Sequence, residues 1–472
     1  MKDNVTLGLI VGNRRFFPAA LCEAGRATML KVLAEEGIRV IALGPQDTLY
    51  GSVESLQDAH RCADLFRAHR DEIDGILVTL PNFGDERAVA NILRWAELNV
   101  PVLVHAFPDT PGRMAASERR DSFCGKLSIC NNLYQYGIPF SLTEQHTIDP
   151  ESPGFRRDLR KFSGVCRVVR GLRGARFGLL GARPAAFNTV RSSEKLLERS
   201  GITVETLDLS EALARVAALT DTDARVQARI AEIQGYAQAT QVPRPAVARL
   251  AKLAIVLDDW MRSNDCVGAA VQCWSSLQDN LGIFPCTAMS MLSDRLRPCA
   301  CEADVVGAVA MYALVLAGGQ PSALVDWNNN YGDDPDRGLV FHCSNLPKSI
   351  LIDGSARIES HAGTAESLGR DNSWGMLYAR IQASPCTFLR IRTDDLQGRM
   401  AAYVGEGTLT DDPVETFGGY GVIRVPGFQR LLQYICRHGF EHHVAISRAQ
   451  VADVLYEALT TYLGWDVYYH RE

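Results

Sequence analysis

The chain has 472 residues, 47 % of them hydrophobic and 22 % charged, with a formal net charge of -6 and a pI near 6.0. This balance offers no broad basic face for a phosphate backbone, which excludes nucleic acid as a partner, and no uncharged apolar run approaches the ~20 residues that cross a bilayer. The apolar material suffices for several cores, and the length suggests about three domains of roughly 150 residues.

The first residues, Met1-Lys-Asp-Asn-Val-Thr, lack a basic flank, a long apolar stretch and a small-residue cleavage pattern, so they read as the approach to a first strand and not as an export signal. Thirteen cysteines, an odd number without a spaced framework, suit a reducing compartment, and a soluble cytoplasmic protein is expected. Cys299-Ala-Cys301 has one intervening residue where a zinc knuckle has two, so buried structural thiols are the expected role of the cysteines.

From residue 5 the pattern alternates short apolar runs with amphipathic stretches. Strands are predicted at Val5 to Val11, Val40 to Leu43, Gly75 to Leu80 and Val102 to Ala106, with helices at Ala19 to Glu36, Ala59 to Ile73 and Ala88 to Leu98. This predicts a doubly wound parallel sheet over residues 1–172. A second alternation over 173–320 runs through Ala175 to Gly181, Val190 to Arg199, Ile202 to Leu207, Val247 to Met261, Gly268 to Gln272 and a helix from about Ala303 to Ala317, stopped by Gly318-Gly319-Gln320-Pro321. Residues 321–472 change character: β-prone pieces at Ser322 to Trp327, Gly338 to Cys343, Ser349 to Ile352, Cys386 to Ile391 and Gly421 to Val425 suggest a small antiparallel sheet or barrel, closed by a helix at about Arg448 to Leu463. The fold class is thus α/β, with two doubly wound domains and a β-rich, barrel-like third. No internal repeat or low-complexity segment is present.

Cys299-Ala-Cys-Glu-Ala-Asp304 joins a short strand to a helix, which sets Glu302 in the crevice where open α/β sheets collect ligands; the plain alternative is a helix-starting carboxylate. Leu324 to Pro335 delivers Asp326 into an Asx-rich loop. It is not a calcium loop, because position six would be Tyr331 and position twelve Arg337. Histidines stand in Phe341-His-Cys-Ser-Asn345 and Glu441-His-His-Val444. Together, two carboxylates and one or two imidazoles make a mixed oxygen and nitrogen set suited to Mn²⁺, Mg²⁺ or Co²⁺. Gly12-Asn-Arg-Arg-Phe-Phe-Pro18 and Gly181-Ala-Arg-Pro184 both lack G-x-G-x-x-G, which argues against a nicotinamide cofactor. Arg14 and Arg15 could hold substrate hydroxyls or an anionic group, or stand as solvated surface arginines.

With two wound domains and a β-rich third, and with Gln272-Cys-Trp274, Cys301-Glu-Ala-Asp304, Val325-Asp-Trp327 and His442-His-Val444 in that order, the chain resembles the L-fucose isomerase and L-arabinose isomerase superfamily. The resemblance implies a metal-dependent aldose–ketose isomerase that works on an open-chain monosaccharide through a cis-enediolate. It implies Glu302, Asp326 and His442 as metal ligands, with His342 matching a further histidine of the arabinose branch. Glu302 and Asp326 would share the base and acid roles, and Gln272 and Trp274 would line the sugar site. Arg14 or Arg15 would enter from a neighbouring subunit of a trimer or hexamer whose active sites are shared. A non-catalytic sugar-binding or regulatory protein, or an epimerase or lyase using the same enediolate, are the alternative readings.

Overall fold

The computed structural model describes residues 5–471, and its contacts divide the chain into two compact units. One holds the chain through Arg170 together with Glu457–Gly464; the other holds Gly171–Tyr456 and resumes at Trp465.

The first unit contains β1 (Thr6–Val11), β2 (Arg39–Ala42), β3 (Gly75–Leu80), β4 (Val102–Ala106) and β5 (Ser141–Leu142), all parallel in the order β2-β1-β3-β4-β5. β1, β3 and β4 are buried along their whole length, which is why they read as unbroken apolar runs: helices cover both faces of such a sheet. Helix starts follow local chemistry. Ser55 and Asp58 form a reciprocal capping box ahead of Leu56–Ala68, and Asp85 caps Glu86–Ala96 through the Ala88 N–H (2.9 Å).

The second unit opens with β6 (Arg176–Leu180), β7 (Thr203–Leu207), β8 (Gly268–Val271) and β9 (Cys299–Ala300), parallel in the order β7-β6-β8-β9. It continues with β10 (Ser322–Asn330), β11 (Arg337–His342), β12 (Arg357–Ser360), β13 (Trp374–Arg380), β14 (Ser384–Asp394), β15 (Arg399–Thr410), β16 (Gly419–Arg424), β17 (His443–Ser447) and β18 (Asp466–His470). Antiparallel pairing runs β16-β11-β10-β17-β14-β15, and β15 pairs back onto β16 through Leu409 and Ile423. Six strands therefore close on themselves, which leaves the ring no open edge. β13 adds in parallel beside β16, and β18 in parallel beside β15.

The helix Val305–Gly318, VVGAVAMYALVLAG, is apolar all round because it is covered all round. It packs against β6, β8 and β9 and also against β10, β14 and β17, so the parallel sheet and the barrel of this unit share one core. Gly319 ends it in the left-handed conformation (φ 64°), its N–H bonded to Val315 C=O (2.8 Å), as the glycine pair predicts.

Two details differ from the sequence expectations, and a third adds to them. Ser349 to Ile352 is not a strand: Lys348–Ile350 is a tight helical turn. The closing helix is shorter, Ala452–Glu457, and runs on into a wider turn at Ala458–Tyr462, where Tyr462 Oη donates to Val102 C=O (3.2 Å) inside the first unit. Between the segment His442-His-Val444 and that helix stands a central barrel strand, β17, which begins at His443. Among the described residues no helix is long and apolar enough to cross a membrane.

Candidate active site

Glu302 reaches its position through a sharp strand-to-helix turn. After β9 the backbone turns left-handed at two consecutive residues, Glu302 (φ 58°) and Ala303 (φ 59°), each of which costs about 1–2 kcal/mol for a residue with a Cβ. Bonds from Ala303 N–H to Val271 C=O (3.0 Å) and from Asp304 N–H to Cys301 C=O (3.0 Å) hold this shape. Asp304 then caps the next helix, its Oδ1 accepting from Gly307 N–H (2.8 Å). Gly307 is there for space: a Cβ would lie 2.5 Å from Asp304 Oδ2 and 3.1 Å from Leu324. Gly307→Ala is expected to cost about 1–3 kcal/mol of stability by overpacking, measured by urea unfolding; an unchanged midpoint would show that Asp304 has room to move.

The barrel supplies the facing groups. Asp326 on β10 pairs in register with His443 on β17 and with Phe341 on β11, so Asp326 and His443 are cross-strand neighbours. His443 Nε2 lies 3.0 Å from Glu302 Oε2 and 3.5 Å from Asp326 Oδ1. These three atoms are buried, and none makes a hydrogen bond. The other ring nitrogen, His443 Nδ1, sits 2.8 Å from Asp304 Oδ2. A carboxylate only accepts, so Nδ1 carries a proton; in the neutral ring that a metal requires the Nε2 lone pair faces two carboxylate oxygens, and in the charged ring Nε2 turns a second proton toward them. His443 Nε2 stands between an oxygen of Glu302 and an oxygen of Asp326, and donors of these types suit a hard or borderline dication.

The support behind this cluster is a buried arginine. Arg390 on β14, 0 % exposed, gives two hydrogen bonds to Asp304 (2.5 and 3.2 Å) and one to Glu441 (3.0 Å). Burial raises the Asp304 carboxyl, but Arg390 and His443 outweigh it and hold it well below the usual range. Burial likewise opposes charge on His443, yet its bonds to Asp304 and the nearby Glu302 raise it to about 10; against burial again, His443 and His342 lower Glu302 to about 2. Without a metal, the raised imidazole stabilises the fold fully below its unfolded value of about 6.5 and ceases to as pH climbs to about 10, while Glu302 contributes fully above about 4.5 and fades as pH falls to about 2. Thermal melts of chelator-treated protein are expected to fall more steeply between pH 6.5 and about 10 in the wild type than in His443→Gln. Parallel slopes would remove the charged imidazole.

His342, at the end of β11, is buried with Nε2 3.8 Å from Glu302 Oε2, and its Nδ1 accepts from Cys343 N–H (2.9 Å). His442 is half-exposed, with Nε2 3.6 Å from Asp326 Oδ1. Ligand atoms of Glu302, His342 and His443 all lie within 4.8 Å of one another, as do those of Asp326, His442 and His443. The structure thus brings Glu302, Asp326, His342 and His442 around a residue that the sequence-derived set lacks, His443, which belongs to both groups.

Trp274, beyond the end of β8, donates its Nε1 proton to Glu302 Oε1 (3.2 Å). Phe187 stands edge-on to Trp274 and His442, at 6.0 and 5.6 Å between ring centres, and makes an aromatic wall. Gln272 spans the point where the strand order reverses, its Oε1 accepting from Ala182 N–H beyond β6 (2.8 Å). Arg14 and Arg15 lie in the first unit: Arg14 pairs with Glu86 (3.0 Å) over the Phe83 ring, and Arg15 sits over Phe16.

Sequence reasoning missed His443 and Arg390. His443 could have been found only by pairing the strand after Glu441 with that of Asp326. Arg390, in Thr387-Phe-Leu-Arg-Ile-Arg392, has no local signal that separates it from a solvent-facing arginine.

Two family models match the chain. The model for the fucose/sulfoquinovose isomerase N-terminal domain matches residues 8–173, and that for the L-fucose isomerase C-terminal domain matches residues 340–471. Sulfoquinovose isomerase from Priestia aryabhattai is 25 % identical over 348 residues, 73 % of each chain. Proteins of the same name from Clostridium sp. (strain MSTE9) and Alkalicoccus urumqiensis are 24 % and 23 % identical, over 65 % and 76 % of this chain and 67 % and 78 % of theirs. The two domain models together span more than half of the sequence, and the chain belongs to the L-fucose isomerase-like family of sugar isomerases.

Proposed function

We propose that this aldose–ketose isomerase is metal-dependent and moves a proton between C2 and C1 of an open-chain sugar through a cis-enediolate. The observation that carries the reading is His443 Nε2 placed 3.0 Å from Glu302 Oε2 and 3.5 Å from Asp326 Oδ1, three buried atoms with no hydrogen-bond partner. These residues would hold the dication, Mn²⁺, Mg²⁺ or Co²⁺, with His442 beside Asp326. When bound, the metal supplies Lewis-acid polarisation of the sugar carbonyl and its neighbouring hydroxyl.

The chain's own groups account for the rest. Glu302, kept ionised, takes the C2 proton; the freed electron pair forms the C1–C2 double bond of the enediolate, and a proton returned at C1 leaves the carbonyl at C2. Asp326, on the other side of His443, is the partner carboxylate for the hydroxyl protons. Trp274 steadies one oxygen of Glu302 and leaves the other facing the site, while Asp304 and Arg390 fix the His443 ring. With Nδ1 accepting from the backbone, His342 turns its Nε2 toward Glu302 at 3.8 Å, beyond hydrogen-bond reach, and supports the carboxylate charge rather than acting as a ligand. Trp274, Phe187 and Gln272 line the sugar, with Arg14 or Arg15 contributed by a neighbouring copy in a homo-oligomer.

Sulfoquinovose, named in the curated relatives, is the first aldose to assay. After chelation and desalting, conversion is expected to vanish and to return with Mn²⁺. In deuterated water, deuterium should appear at C1 of the ketose. Full activity in protein shown to be metal-free would overturn the metal, and no ketose from sulfoquinovose or a panel of neutral aldoses would overturn the isomerisation.

A further inference from the structure

We propose that Cys286, Cys301 and Cys343, with the thioether of Met376, form a site for a soft d10 cation, Cu⁺ or Zn²⁺, distinct from the carboxylate and imidazole cluster. The sulfurs come from four separate segments: the first turn of the helix Cys286–Asp294, the loop after β9, the residue after β11, and β13. The three thiol sulfurs lie within 4.8 Å of one another, and Cys286 Sγ lies 3.6 Å from Met376 Sδ. Sulfurs bound to one cation at ~2.3 Å each stand roughly 3.8–4 Å apart, so the site is nearly formed.

Free cysteines commonly fill cores as small hydrophobes. Bulk alone gives no reason for sulfurs from four segments to meet at ligating distance, and among the described residues no other three thiols do so. The surroundings fit the same chemistry: Phe284 and Tyr378 pack with Cys286 and Met376, Trp274 and Phe417 cover them in a polarisable shell, and His342 Nδ1 lies 3.4 Å from Cys343 Sγ. Thiolate and thioether sulfur select soft cations, whereas the neighbouring oxygen and nitrogen set selects hard ones, so two adjacent clusters sort metals by ligand type. Cys301 directly precedes Glu302 and Cys343 directly follows His342, so an ion held by the thiols would brace both loops of the sugar site. Cys343 is only half-buried and marks a way in. Binding releases one proton to solvent for each cysteine that coordinates and changes no oxidation state.

The test is a Cd²⁺ titration of the reduced, chelator-stripped full-length protein, followed by thiolate-to-metal charge-transfer absorption in the ultraviolet. One equivalent is expected to saturate the absorption, and Zn²⁺ or Cu⁺ to displace it, the displacing ion identifying the occupant. Cys286→Ser and Cys343→Ser should each remove it, whereas Glu302→Gln, which disables the other cluster, should leave it unchanged. No absorption in the wild type, absorption that survives both serine variants, or failure of both ions to displace Cd²⁺ would overturn the proposal. The wild-type titration decides the matter even if a serine variant fails to fold.

Discussion

Glu302→Gln is expected to lower kcat by about three orders of magnitude, the range of a lost general base, while leaving the melting temperature within a few degrees of the wild type. Glutamine keeps the volume of glutamate, and its carbonyl oxygen can still accept from Trp274 Nε1. The glutamine amide would occupy the place of the carboxylate oxygen 3.0 Å from His443 Nε2, so the turn at Glu302 and Ala303 loses no packing. What disappears is the charge that, in the proposed mechanism, takes the C2 proton and completes the cation site. Glu302→Asp keeps the charge but withdraws it by one methylene, and should retain part of the rate. Steady-state kinetics with Mn²⁺, beside thermal melts, check both; a fully active glutamine variant would remove Glu302 from the chemistry.

The parts of this molecule that were legible in the sequence are those governed by local pattern. β1, β3 and β4 are buried on both faces and therefore continuous in hydrophobicity, and the glycines after the helix Val305–Gly318 state its end. Barrel strands are harder to read because their partners are remote. β15, Arg399–Thr410, carries Gly405 and Gly407, which read as breakers; yet Gly405 is where the Phe388 ring of β14 lies against the backbone and a Cβ would collide with it. The site divides in the same way. Glu302 and Asp326 announce themselves as carboxylates at strand ends. The choice between His442 and His443 depends on which ring faces Asp326 across β10 and β17, a fact of register between segments more than a hundred residues apart. Asp304 stood inside a recognised motif and reads as a cap; its second oxygen, turned to His443 and Arg390, could be seen only in three dimensions.

Arg390→Leu is expected to destabilise the protein by about 3–5 kcal/mol, the cost of breaking a buried ion pair and leaving its partners charged. Leucine fills much of the space, so the loss would not come from a cavity. It would come from Asp304, fully buried, and Glu441, 6 % exposed, both deprived of the guanidinium that offsets their burial. Lysine would not restore the wild type, because a single ammonium cannot reproduce the two-pronged contact with Asp304 and the bond to Glu441 together. A double-mutant cycle with Glu441→Gln separates this account from mere loss of packing. If charge is the cause, removing the Glu441 carboxylate costs the Arg390→Leu variant less than it costs the wild type, and the two single losses sum to more than the double variant shows. Independent additive losses, or a cost for Arg390→Leu below about 1 kcal/mol, the scale of an exposed ion pair, would contradict it. The same substitution should weaken metal binding by about 10–100-fold, because Asp304 without its arginine no longer holds the imidazole of His443 in place. Measuring Mn²⁺ affinity on folded variant protein, at a temperature well below its melting point, keeps that effect apart from the loss of stability.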